Sequence, residues 1–182
     1  MKTVNLLDFL NSSEKLNTLD CASHADAMIN FLDLLVEDEQ LTQQINFGVI
    51  YLSENLLNNY LVVDGVSRLL SLSLLLHAVC ECYKKTSAKN ENAIKTIRSK
   101  YLFNGNKTKL RLEEKDQKIY EKIINGERLS GKEKNSSMFK LLHSFWSQIK
   151  KENISASKIF KMLQKIYIRI VDIEEVNAID LY

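Results

Sequence analysis

Apolar residues recur along this chain with two distinct periods. Over 24–37 (HADAMINFLDLLVE), Ala27, Met28, Phe31, Leu34 and Leu35 fall at helical spacing, with Asp26, Asp33 and Glu37 on the opposite side and Ser23 where an N-cap belongs. Residues 47–52 (FGVIYL) are short, β-branched and aromatic, which predicts a strand. Residues 55–59 (NLLNN) read as a turn and 60–63 (YLVV) as a second strand, pairing with the first as a hairpin. Asp64-Gly65 ends that strand, and a helix is expected over about 66–84. Leu69, Leu70, Leu72, Leu74, Leu75, Leu76 and Val79 leave this helix apolar on most of its faces, the pattern of a segment buried at the centre of its domain. One polar stripe remains, formed by Ser73, His77, Glu81 and Lys84.

Beyond it, the pattern predicts a helical part near 92–100 and two short strands, 101–103 and 109–112, around the turn Asn104-Gly105-Asn106. A helix over 114–125, a loop over 126–137 (GERLSGKEKNSS) and helices over 138–151 and 155–165 follow, the last capped by Ser155. Residues 167–171 (YIRIV) read as a strand, and 176–182 as the start of another helix. The expected fold is helix-dominated α+β, a single domain over 1–182 with a helical subregion at 113–165.

Charge sharpens this picture because it is unevenly placed. Residues 1–83 carry three basic and eleven acidic side chains, whereas 84–111 carry nine basic side chains against Glu91 alone. Such a block attracts phosphates, and Lys95, Arg98, Lys100, Lys107, Lys109 and Arg111 are the candidates for a DNA-contacting face. The plainer alternative is a solvated arm that balances the acidic front. Cys21, Cys80 and Cys82 are odd in number and irregular in spacing, which suits a reducing compartment and buried thiols. No secretory pattern opens the chain, and the apolar run 69–82 is interrupted by Ser71, Ser73, His77 and Glu81, so no membrane span and a cytoplasmic location are expected. His24, His77 and His143 stand in no metal-ligand spacing, and no metal site is expected. His77 with Glu81, four residues on, is either an acid–base pair or a satisfied partly buried contact. Trp146, Phe145 and Phe139 lie at helical spacing and read as core.

The densest chemistry lies in the strand–turn–helix segment ending in Asp64-Gly65-Val66-Ser67-Arg68. Gly65 permits a sharp turn and close approach of a ligand. The first N–H groups of the following helix have no intrahelical partner and, with the helix dipole, favour an anion. Arg68 could clamp a phosphate, Ser67 could donate to it, and Asp64 could hold a metal ion or a ribose hydroxyl. The alternative is local: Asp64 caps the helix and Arg68 pairs with it.

This segment, Asp64-Gly65-Val66-Ser67-Arg68-Leu69-Leu70-Ser71-Leu72, resembles the motif D-G-Q-Q-R-L-T-T-L of GmrSD-type restriction endonucleases, which also follows a hydrophobic strand and opens a leucine-rich helix. Asn46-Phe47-Gly48-Val49-Ile50 resembles the family's strand with a glycine before an aliphatic pair. Lys109-Leu110-Arg111-Leu112 with Asp116 and Tyr120 resembles its later strand and helix, and 167–172 the strand before its F-E-x-x-N motif. The resemblance implies a ParB/sulfiredoxin-like mixed sheet with a helical extension. It also implies nucleoside triphosphate binding, with Mg2+, linked to cleavage of modified phage DNA by a separate nuclease domain. Asp64, Gly65 and Arg68 carry over to the nucleotide site.

Departures from the family pattern shape the functional expectation. Val66 and Ser67 replace both glutamines, 19–24 lacks the family's Q-R-x-Y-x-W-like motif, and the chain ends about where F-E-x-x-N would begin. The expected function is therefore a degenerate, shortened module that binds nucleotide or DNA, or a nuclease partner, without catalysing. A nucleotide-dependent endonuclease subunit completed beyond Tyr182, and a structural interaction domain with its pocket closed by Val66, are the alternatives.

Overall fold

The computed structural model describes residues 2–18, 45–56, 58–86 and 90–173. The helix expected over 24–37 with its Ser23 cap, and the one expected over 176–182, lie outside the described residues.

Strands β1 (Lys2–Asn5), β2 (Lys15–Thr18), β3 (Ile45–Leu56), β4 (Asn59–Asp64), β7 (Leu110–Arg111) and β8 (Ile166–Asp172) form a mixed sheet in the order β1-β8-β3-β4-β2-β7. β3 and β4 make the expected antiparallel hairpin, longer than its sequence signal, with Leu52 opposite Val62. β8 lies parallel to β3, and β1 closes that edge antiparallel to β8. β2 runs parallel to both β4 and β7. Helix α1 (Leu6–Ser12) joins β1 to β2, its start capped by the Asn5 side chain, which accepts from the Leu7 and Asp8 N–H groups. This β1–α1–β2 unit has no counterpart in the sequence-based expectation. Each piece is too short to show a period.

Helix α2 (Val66–Thr86) is the centre of the helical part, as its apolar surface predicts. Every residue from Leu69 to Cys80 is buried. Helices α3 (Glu91–Ile97), α5 (Ser137–Lys151) and α6 (Ala156–Leu163) pack around it. The Ser136 and Ser155 hydroxyls cap α5 and α6 by accepting from Phe139 N–H and Lys158 N–H. Leu72, Leu75, Leu142, Phe145, Ile159 and Leu163 from the helices share one core with Ile50, Leu52, Val62 and Ile168 from the sheet. Each of these side chains contributes about 1.5–3 kcal/mol by leaving water. At 21 residues, α2 is longer than expected and apolar enough in composition to cross a membrane, but most of it is buried within the fold.

The region after α3 differs from the expectation. A π-helical turn at Arg98–Leu102 absorbs Tyr101, and the small hairpin is β5 (Phe103–Asn104) with β6 (Lys107–Thr108). The segment expected to pair with it, around Leu110, instead joins the main sheet as β7 beside β2. Helix α4 (Glu114–Asn125) then docks against that strand through Gln117, which accepts from Leu112 N–H and donates to Thr108 Oγ1 and Glu121.

Lys109 is the main correction to the proposed basic face. It is buried, and its ammonium donates to the carbonyls of Leu10 (2.6 Å) and Asn11 (3.2 Å) in the last turn of α1. Those carbonyls have no intrahelical partner and sit at the negative end of the helix, so the lysine ties β6–β7 to α1 rather than meeting a ligand. Burial holds its pKa below the ordinary lysine value, with Glu14 partly countering. Lys109→Met is expected to lower unfolding free energy by about 1–3 kcal/mol, measured by urea titration, because two carbonyls lose their donor.

His77 is buried at the centre of α2, and its Nδ1 has no hydrogen-bond partner among the described residues. Glu81 pairs with Lys84 (2.6 Å), and neither reading of His77 with Glu81, an acid–base pair or a satisfied contact, is met by a hydrogen bond between them among the described residues. Burial pushes the imidazole from 6.5 down to about 4, Glu81 opposing and Arg98 and Lys84 adding to the fall. The unfolded chain therefore takes up a proton at a higher pH than the folded one. The neutral ring contributes stability above about 6.5 that is lost as pH falls toward 4. Urea titrations of wild type and His77→Leu from pH 7 to pH 4 should show the balance shifting toward the variant as pH falls.

Candidate functional site

The turn that carries the sequence motif is built on two glycines. Gly65 has φ +97°, and a Cβ there would lie 2.9 Å from Ile50 Cγ1. Gly48 has φ +98°, and a Cβ there would lie 3.2 Å from Arg68 Nε. Both are conformations that side-chain-bearing residues rarely adopt, and both sit at a close approach. Gly48 also falls in a bulge: the β3–β8 register shifts between Asn46 and Val49, and Gly48 N–H donates to Asn46 Oδ1. The glycine inside the FGVIYL strand pattern was the available signal for this bulge.

Gly65 turns the chain from β4 directly into α2. Its carbonyl accepts from Arg68 N–H (3.1 Å) and Leu69 N–H (3.2 Å), the first bonds of the helix. The N–H groups of Val66 and Ser67 precede any intrahelical acceptor. Asp64 is exposed, and its Oδ1 accepts from Gly65 N–H at 2.7 Å, which stiffens the turn. Val66 is buried in the core, and Ser67 is half-buried.

Arg68 leaves the first turn of α2 and reaches back across Gly48, where Nη1 donates to Val49 O at 2.9 Å. It does not pair with Asp64. The local alternative, a capping aspartate paired with the arginine, is therefore not what forms. The guanidinium instead lies along the bulge in β3, half-buried, with four further N–H donors beyond the one spent on Val49. The structure thus brings Asp64, Gly65, Ser67 and Arg68 into one turn, and adds Gly48 and Val49 as the partners that aim the arginine.

Four of the remaining basic candidates divide between two clefts. Lys95 and Arg98 line one of about 720 Å³. Lys107 and Arg111 line another of about 570 Å³ with Lys15, and there Arg111 is paired with Glu121 (3.0 Å). Lys100 is exposed on the π-helical turn. Burial pushes the Cys80 thiol up to about 12, Arg98 partly countering, so it is a core thiol and not a thiolate. Among the described residues, no group of three or more His, Cys, Asp or Glu side chains is placed to hold a metal ion. Trp146 packs edge-on to Phe139 at 6.3 Å, at the margin of the core as its spacing predicts.

Compared with known proteins, residues 8–182 match the family model of the GmrSD restriction endonuclease N-terminal domain. The chain matches no curated protein.

Gly65→Ala is expected to cost about 2 kcal/mol or more in urea unfolding, since both the positive φ and the Ile50 contact oppose a Cβ. Gly131→Ala, with open space around it, serves as the control and is expected to change stability by about 0.5 kcal/mol or less.

Proposed function

The chain belongs to the GmrSD restriction endonuclease N-terminal domain family, and from that membership we propose that it binds a nucleoside triphosphate at the Gly65–Arg68 turn without hydrolysing it. The observation that carries this reading is the placement of Arg68. Its guanidinium is held by Val49 O beside a helix start whose first N–H groups lack intrahelical acceptors. Backbone donors, the positive end of a 21-residue helix and a fixed fork of guanidinium donors together suit a polyphosphate. Val66 supports the same reading, because its side chain turns into the core and does not cover the turn.

Asp64 fits the accompanying cation. Mg2+ is commonly held by one or two carboxylates plus substrate phosphates, and Asp64 is an exposed carboxylate at the mouth of the turn. When bound, the ion would neutralise phosphate charge. Ser67 adds a hydroxyl donor on the first helical turn. Catalysis is left out because Val66 and Ser67 stand where the family motif has two glutamines. No amide remains at those two positions to orient an attacking water. In this reading the cutting of DNA belongs to a separate nuclease component, and the present domain senses or holds the nucleotide for it.

Thermal-shift titration with ATP and GTP, each with and without Mg2+, tests the proposal. The wild-type chain should gain stability with added nucleotide, and Arg68→Ala should weaken apparent affinity at least tenfold, about 1.4 kcal/mol. Because Arg68→Ala also loses the bond to Val49, the readout is the nucleotide-induced rise and not the starting Tm. Phosphate release should stay at the uncatalysed rate. An equal nucleotide response from Arg68→Ala would remove the site.

A further inference from the structure

We propose that the cleft between the end of α2, α3, the β5–β6 hairpin and the end of α4 is a second binding site, one that takes a single nucleotide unit. It lies apart from the Gly65–Arg68 turn and shares no lining residue with it. Its volume of about 720 Å³ is within the range of small-molecule pockets.

The lining has the three kinds of group that a nucleotide needs. Lys84, Lys95 and Arg98 supply positive charge against Glu91 alone. Lys84 is partly neutralised by Glu81, whereas Lys95 is exposed and has no ion-pair partner among the described residues, so Lys95 is the principal phosphate donor. Phe103 and Ile94 give the cleft an apolar surface suited to a base. Asn106 at the hairpin tip and Asn125 at the end of α4 bring two side-chain amides, each able to donate and accept, to the same space.

Arg98 organises the cleft. Its Nη1 donates to Ile124 O (2.9 Å), and its Cζ lies 4.8 Å from the centre of the Phe103 ring. One side chain thereby fixes α4, the π-helical turn and the hairpin relative to each other, and holds the aromatic ring against a cation that strengthens its placement. A ring already braced on one side loses little freedom when a base stacks on it.

The nucleotide can come from two sources, a free nucleoside monophosphate or a base presented by a single-stranded stretch of DNA. Both are tested with the full chain. A fluorescent single-stranded oligodeoxynucleotide is followed by anisotropy, a duplex of the same length is the competitor, and deoxynucleoside monophosphates are titrated by heteronuclear NMR. The expected result is binding of at least one of the two ligands, with resonance shifts concentrated at Lys95, Phe103 and Asn106. Lys95→Glu, an exposed change that removes no buried contact, should weaken it at least tenfold, and Asn106→Ala at least threefold. Arg68→Ala should leave it unchanged, so this site and the triphosphate site fail independently. A preference for the oligodeoxynucleotide assigns the cleft to DNA, and a preference for the monophosphate assigns it to a free nucleotide. Equal binding of wild type, Lys95→Glu and Asn106→Ala would overturn the proposal, as would displacement by duplex or heparin in proportion to charge alone.

Discussion

Gly65 and Ile50 leave no space between them, and the arrangement of the turn follows from that contact. With a Cβ at residue 65, β4 could not run so directly into α2, because the added atom would meet Ile50 in the neighbouring strand at 2.9 Å. The positive φ at Gly65 sets the direction of a 21-residue helix buried along most of its length, so one backbone angle orients much of the core. The same direction decides where Arg68 points. From the first turn of α2, its guanidinium reaches Val49 across Gly48, where a Cβ would crowd it at 3.2 Å. Two glycines, one from each strand of the β3–β4 hairpin region, therefore act as a matched pair of clearances.

Much of the architecture was legible from periodicity. The hairpin, the central helix, α4, α5, α6 and β8 follow the apolar pattern closely, because each is long enough to show its period and each buries one face or all faces. Helix-dominated α+β, the expected class, is what forms. What periodicity missed is short: β1, β2 and β6 have two to four residues each, while β5 and β7 overlap the strands expected at 101–103 and 109–112 but not with the expected pairing. Their positions are set by partners far away in sequence, as when β7 leaves the expected hairpin to lie beside β2. A two-residue strand carries no pattern of its own.

The site was legible in its residue types and less so in its contacts. The Asp64-Gly65 break and the arginine three residues on gave the turn, but not the destination of the guanidinium, because Val49 lies 19 positions upstream. The basic block shows the limit of reading charge along a chain. Lys109 is buried against α1 and Arg111 is paired with Glu121, while Lys95 and Arg98 open onto a cleft. Four cations close in sequence thus have three different uses, which burial and partner geometry decide and net charge cannot.

The position of β2 in the sheet has a consequence for how the chain acquires its shape. Lys15–Thr18 is made early, yet it lies between β4 and β7, and its Leu16 pairs with Tyr60 on one side and Leu110 on the other. β1 is made earlier still and waits for Ile170 to pair with Lys2. During synthesis from the N-terminus, β2 stays unpaired until β4 and then β7 have emerged, and β1 until β8, the last of the described strands, has emerged. Assembly is therefore late and dominated by distant pairings, the topology associated with slow folding and prolonged exposure of unpaired strands.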